Sequence, residues 1–256
     1  MQRLLLVSAL LVAVVPVARP ASATTVHDAG IAHACGAKDT PETGLQGDVP
    51  LADQLSGRVA QGYNCGLSLV SHLVVSGPRF GQNGNGQLAW SGDCAYVATG
   101  PGPGGVAVLD VRDPQHPQEV TTLHSVATEA TSETMHAVTY KDRAILVTGL
   151  YGVSASDRAH TPGFMEVYDV RDCRHPRLLS QFTFPDNIHN LRLTADARTV
   201  YATNPLQAVS LADPRKPVFL GNLEAQLAAA EQPVGSHEAI PSPDGKRVYS
   251  AAVDGT

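Results

Sequence analysis

Basic residues are in short supply: 18 Lys and Arg stand against 24 Asp and Glu in 256 residues. A chain with that balance lacks the positive surface that recruits nucleic acid or an anionic membrane, so neither is expected as a partner. Long apolar runs are lacking too. The stretch from Leu4 to Val17 is short and broken by Pro16, which argues against an integral membrane span. Signatures of familiar chemistry are also missing. The glycine-rich stretch Gly100 to Gly105 has no Lys-Ser/Thr after it, which excludes a phosphate loop and leaves a flexible connection. No serine lies in a Gly-x-Ser-x-Gly elbow. Asn64-Cys65-Gly66 lacks the hydroxyl residue of a glycosylation acceptor, and the four cysteines show no Cys-x-x-Cys or Cys/His spacing of a metal site.

What the chain does have is repetition. VAVLDVRDPQHP from Val106, MEVYDVRDCRHP from Met165 and LQAVSLADPRKP from Leu206 are versions of one unit. In the first, Val106, Val108, Leu109 and Val111 form a run too apolar for a half-buried strand, so a strand buried on both faces is expected. A proline-punctuated turn follows, at Asp113 and Pro117, Asp172 and Pro176, and Asp213 and Pro217. Asp110 and Asp169 close the first two strands and Ser210 replaces them in the third. Each is a short acceptor able to satisfy turn N–H groups.

Further strands flank each copy. Cys94 to Thr99, Ala144 to Gly149 and Thr199 to Thr203 precede it. Gly86 to Trp90, His136 to Tyr140 and His189 to Thr194 lie one tight turn earlier. Fourth strands follow the prolines near Glu119 to Leu123, Leu178 to Phe182 and Val218 to Asn222. Four antiparallel strands, repeated, make a β-propeller blade, so the expected class is all-β. Asp113 to Asp172 spans 59 residues and Asp172 to Asp213 spans 41, against about 40–50 per blade. Loops at Ser125 to Met135 and Leu150 to Gly163 account for the longer interval.

The pattern V-x-V-x-D-V-x-D-P-x-x-P resembles the LVIVD-type repeat of secreted β-propellers over about residues 86–254. DGKRVY, from Asp244 to Tyr249, is similar to strand pairs of many bacterial propellers. The resemblance implies a fold and leaves function open, because propellers host unrelated activities. The expected organisation is a signal peptide over residues 1–23, an irregular segment with one strand over 24–76, and blades over 86–256. The last blade is truncated. Three and a half blades fall short of a closed ring, so the chain is expected to be either the front portion of a longer propeller or a protein that self-associates through open sheet edges.

Arg3 before the leading apolar stretch, and Ala21-Ser22-Ala23 after it, read as an export signal, placing the protein outside the cytoplasm. Its removal leaves 16 basic against 24 acidic residues, a net charge of −8. In an oxidising compartment four cysteines are read first as disulfides. Cys35 and Cys65 bracket a Gly/Asp/Pro-rich stretch and are paired on that ground, a closure worth about 3 kcal/mol in the entropic description. Cys94 and Cys173 then pair by elimination. They lie on turns that an up-and-down blade puts on one side.

Short turns join strands one to two and three to four, whereas the long connections all fall on the opposite face, where ligands usually bind. LEAQLAAAEQ after Asn222, a possible N-cap, predicts a short surface helix there. His136, His189 and His237 each open a first strand, 53 and 48 residues apart. Such imidazoles can converge on copper or zinc, with Glu133 or Glu238 adding a carboxylate. They can equally hydrogen-bond across blades, and this structural role is favoured. His116 and His175 sit in solvated turns, and Trp90, the only tryptophan, is expected to pack. Two functional classes remain. One is a binding scaffold presenting its long-loop face to a protein, glycan or surface ligand. The other is a metal-dependent oxidase or hydrolase built on the three histidines.

Overall fold

The computed structural model describes residues 35–37, 39–40, 49–76, 86–99, 104–130, 134–150, 162–229 and 236–251. The signal segment 1–23, Glu133 and most of the loop from Leu150 to Gly163 lie outside the described residues. The chain divides into two units, Met1–Ser68 and Leu69–Thr256. The segment 69–76 therefore belongs with the strands that follow it.

In the first unit, helix α1 (Leu51–Ser56) buries none of its residues and ends at Gly57, whose φ of 74° suits glycine in a left-handed C-cap. With so little apolar cover, covalent and polar ties hold this unit. The Cys35–Cys65 disulfide forms as expected. Thr40 and Asn64 make an isolated bridge, and the Tyr63 hydroxyl donates to Asp53 at 2.7 Å.

The second unit is all-β apart from short helices. Sheet 1 comprises β1 (Leu88–Ser91), β2 (Cys94–Ala98), β3 (Val106–Asp110) and β4 (Gln118–Leu123). Sheet 2 comprises β5 (Met135–Tyr140), β6 (Arg143–Gly149), β7 (Phe164–Asp169) and β8 (Arg177–Thr183). Sheet 3 comprises β9 (Leu191–Leu193), β10 (Thr199–Ala202), β11 (Gln207–Ser210) and β12 (Val218–Asn222). Two strands, β13 (Glu238–Pro241) and β14 (Val248–Ala251), form sheet 4. All pairings are antiparallel between sequence neighbours, and among the described residues the sheets do not close into a ring.

The repeat is reproduced in detail. The third strands β3, β7 and β11 are buried almost throughout, as their unbroken apolar runs require. Each carries a β-bulge at one equivalent place, at Val108/Leu109, Val167/Tyr168 and Ala208/Val209. Bulges sharpen local twist, which helps a narrow sheet wrap onto its neighbour. At the strand ends Asp110 accepts from the Arg112 N–H at 3.1 Å, Asp169 from the Arg171 N–H at 3.1 Å, and Ser210 from the Ala212 N–H at 3.2 Å. In the turns, Asp113 and Asp213 each accept from a backbone N–H two residues on, at 3.0 Å. Helix α2 (Leu223–Ala229) starts where its composition predicts, with Asn222 Oδ1 accepting from the Ala225 N–H at 2.8 Å.

Sheets stack face on face. Ala89, Tyr96 and Val108 of sheet 1 pack with Met135, Leu146 and Tyr168 of sheet 2. Val147, Met165 and Val167 from the other face of sheet 2 pack with Leu191, Leu193 and Val200 of sheet 3. First strands of successive sheets lie side by side, β1 by β5, β5 by β9 and β9 by β13. Ties reinforce each junction. The Cys94–Cys173 disulfide and the Arg174 to Asp110 bond of 2.6 Å join sheets 1 and 2. The Arg143 guanidinium donates to Ala197 O at 3.0 Å and Leu211 O at 2.7 Å, joining sheets 2 and 3.

Trp90 corrects its expectation. It is 69 % exposed, because β1 belongs to sheet 1 and Trp90 lies on the face of it that no other sheet covers among the described residues.

Candidate functional site

The long connections of sheets 3 and 4 place a polar cluster at one end of their junction. His189 precedes β9, Thr203 and Asn204 form the β10 to β11 connection, and Ser236 and His237 lead into β13. Backbone and side-chain bonds lock this framework. The His189 N–H donates to Thr203 O at 2.8 Å, and the Thr203 hydroxyl donates to His237 O at 2.9 Å. Glu224, in the first turn of α2, accepts from the Leu206 N–H at 2.8 Å and from the Ser236 hydroxyl at 3.0 Å.

Within it the Nε2 atoms of His189 and His237 meet at 2.7 Å, with ring centroids 4.2 Å apart. Such a contact pairs one N–H with one lone pair, so the two rings take complementary tautomers. His189 is buried and His237 is exposed, giving the pair one side open to solvent. Asn190 donates through Nδ2 to Glu238 Oε2 at 2.6 Å, and Arg192 donates to Glu238 Oε1 at 2.6 Å. Both carboxylate oxygens are thereby engaged. Asn190 Oδ1 is buried without a hydrogen-bond partner, an acceptor that a ligand donor or cation would satisfy.

His136 is placed differently. Its Nδ1 accepts from the Leu193 N–H at 3.0 Å, a bond from sheet 3 to sheet 2. Burial first, and the nearby Arg192 charge second, lower its pKa to about 4, so the ring is neutral, as an acceptor nitrogen requires. The expected equivalence of the three histidines is corrected here. His136 lies four residues before the end of β5 at Tyr140, which meets Arg143 across a two-residue turn. His189 and His237 lie five residues before Thr194 and Ser242, where the turns are longer. By ladder register, with Ile145 and Thr199 opposite the equivalent strand-end residues Asp169 and Ser210, His136 opposite Val147 matches Arg192 opposite Tyr201, three residues after His189. Among the described residues no group of three or more His, Cys, Asp or Glu side chains is arranged to hold a metal ion.

Other positions were not foreseen. Glu166 on β7 is fully buried. It accepts from the Ser125 hydroxyl, from the Tyr168 hydroxyl at 2.9 Å and from Gln181 Nε2 at 2.9 Å. These neutral donors pin the connection after β4 over the junction of sheets 1 and 2. The signal was available as a charged residue inside the apolar run MEVYD. On the short-turn face a cavity of about 390 Å³ is lined by Asp93, Lys141, Asp142, Arg171, Cys173 and Arg174. Lys141 there holds a φ of 54°, where the equivalent turn of sheet 1 has Gly92. His116 and His175 each bond a turn aspartate through Nδ1, at 2.8 and 2.9 Å, and both are well exposed.

No protein-family model matches the chain, and none of the curated proteins matches it significantly. Among the described residues no helix is long and apolar enough to cross a membrane.

Proposed function

We propose that this protein is an exported β-propeller of the LVIVD-repeat kind that works as a binding scaffold through its long-connection face. Repeated up-and-down sheets, first strands lying side by side and two disulfides support the propeller and the oxidising location. The observation that carries the binding reading is the polar cluster at the junction of sheets 3 and 4. It holds an outward imidazole on His237 and a buried, unpartnered acceptor on Asn190 within a rigid frame. Solvent-facing polar groups on an ordered frame are what a protein, glycan or surface ligand selects. In a screen of the purified chain against glycan arrays and secreted proteins, His237→Ala and Asn190→Ala are expected to weaken the ligand roughly tenfold or more. His116→Ala, on the opposite face, is expected to leave affinity unchanged. Equal loss in all three variants, or loss only in the last, overturns the reading.

A second reading, a metal-dependent oxidase or hydrolase, is favoured by the convergence of two imidazole nitrogens on one point. Neutral imidazoles suit copper or zinc, and His189 and His237 would supply them while His136 stays on its backbone partner. Bound metal would polarise substrate or activate water there. Elemental mass spectrometry is expected to find about one copper or zinc per chain on this reading. The His189→Ala/His237→Ala variant is expected to lose it with the fold intact. Metal retained by that variant, or none in the parent after incubation with copper and zinc, removes this reading.

A further inference from the structure

Between sheets 2 and 3 the short-turn end of the junction is filled by a side chain of the protein itself. The Arg143 Nη2 donates to Ala197 O at 3.0 Å and to Leu211 O at 2.7 Å, and its Nη1 donates to Ala212 O at 3.4 Å. Three carbonyls thus hold one planar guanidinium fork. Between sheets 1 and 2 the same end is open, a cavity of about 390 Å³. Ladder register gives the reason. Ile145 lies opposite Asp169 and Cys94 opposite Asp110, so the place of Arg143, two residues earlier and on the side turned to the next sheet, falls to Gly92 in sheet 1. Glycine brings no side chain, and a Cβ at Gly92 would meet nothing within 4 Å.

The acceptors that hold Arg143 have counterparts around the open cavity. In the same register Ala197, Leu211 and Ala212 correspond to Arg143, Val170 and Arg171, and all three of these residues line it. The carbonyls of Val170 and Arg171 accept no hydrogen bond from the described residues, and Val170 is 1 % exposed. A buried carbonyl in that condition favours an incoming donor. The charged groups of the wall divide by whether they are already engaged. Arg171 is held by Asp169 and Arg174 by Asp110, each at 2.6 Å. The Arg143 guanidinium is turned to sheet 3, and the Lys141 ammonium lies over the Tyr140 ring, 5.1 Å from its centroid. Asp172 is bonded to His175. Asp93 and Asp142 are exposed, and neither carboxylate is hydrogen-bonded within the described residues. What the cavity has to spare is therefore acceptors and negative charge.

We propose that this cavity binds a guanidinium group supplied from outside the chain, seated on Val170 and Arg171 as Arg143 is seated on Leu211 and Ala212, with Asp93 and Asp142 balancing its charge. The ligand is a small guanidino compound or the arginine side chain of a partner. An ammonium carries the same charge without the planar fork that spans neighbouring carbonyls, so it fits less well. The volume lies within the range of about 300–1,000 Å³ for small-ligand pockets, which leaves room for the carbon chain behind the head group. The site is on the short-turn face, so it stands or falls separately from the polar cluster at the junction of sheets 3 and 4.

The test is a titration of the isotope-labelled chain, followed by its amide resonances, with three probes: ethylguanidine, N-acetylarginine amide and N-acetyllysine amide. A guanidinium probe is expected to shift the amides of Gly92, Asp142 and Arg171 with a dissociation constant of about 1 mM or tighter. The lysine probe is expected to bind about tenfold more weakly or less. Asp93→Asn with Asp142→Asn alters only exposed positions, so the melting temperature should hold while affinity falls about tenfold or more. Asp113→Asn with Asp213→Asn makes the same change of charge outside the cavity and is expected to leave affinity unchanged. Ethylguanidine bound in preference to N-acetylarginine amide supports the site and assigns it to a free guanidino compound, whereas the amide bound as tightly supports it and assigns it to a partner's arginine. Absence of shifts at the three amides overturns the proposal, as does equal loss of affinity in both pairs of variants. Equal affinity for the lysine probe overturns the guanidinium assignment.

Discussion

Removing the Cys94–Cys173 disulfide, by Cys94→Ala with Cys173→Ala, is expected to destabilise the sheet unit by about 4 kcal/mol. The bridge spans 79 residues, and a longer closed loop leaves the unfolded chain more entropy to regain when it opens. The folded state also loses, because Cys94 is fully buried in the junction of sheets 1 and 2. Two alanines there leave space the neighbours only partly fill. Tyr96 adds to the dependence: burial pushes its phenol above the ordinary range, and its hydroxyl donates to Cys173 O at 3.3 Å. Urea unfolding of parent and variant, followed by far-UV dichroism, measures the difference. The control is Cys35→Ala with Cys65→Ala, in the other unit, which is expected to leave the unfolding of the sheets unchanged. A loss below about 1 kcal/mol in the first variant would show that packing alone holds the junction.

The position of that bridge shows which part of the fold is legible from residues alone. Cys94 and Arg143 start the second strands of successive sheets, each after a two-residue turn, and both reach into the next sheet. One is tied covalently to the strand-three-to-four turn at Cys173, the other by hydrogen bonds to carbonyls at the equivalent turn of sheet 3. The cysteine is visible in the sequence because cysteines are few and pair. Arg143 is not, because its partners are backbone carbonyls and any sequence supplies those. The strand-end aspartates stand out for a similar reason: their partners lie two residues away, so local spacing reveals them. The histidines mark the limit of that reasoning. Their intervals look periodic, yet His136 lies within β5 while His189 and His237 precede β9 and β13, and interval counting cannot see register. The exposure of Trp90 depends on which faces of sheet 1 other sheets cover, a property of the assembly of repeats and not of any one of them.

His136 should give the unit a specific acid sensitivity. Its pKa is near 4 in the folded protein against an ordinary value of 6.5. Well above pH 6.5 both folded and unfolded chains carry it neutral, and it contributes no pH dependence. As pH falls below 6.5 the unfolded chain takes up a proton that the folded chain refuses, so stability declines. The decline continues to about pH 4, where the folded protein begins to protonate as well, and it amounts to about 3 kcal/mol at most. The structural cause is direct. A protonated ring has no lone pair for the Leu193 N–H, and its charge would lie half-buried beside Arg192. Arg192 is itself balanced by Glu238, which leaves no free carboxylate oxygen to compensate the new charge. The aspartates Asp110 and Asp169 lose their arginine-bound advantage only below their ordinary pKa of 3.8, so their acid effect lies lower on the scale. His136→Asn keeps an acceptor near the Nδ1 position without a titrating ring. Denaturant midpoints measured from pH 7 to pH 4 are expected to fall steeply in the parent and to stay nearly level in His136→Asn. Equal slopes for the two proteins would mean that His136 is not the group that titrates.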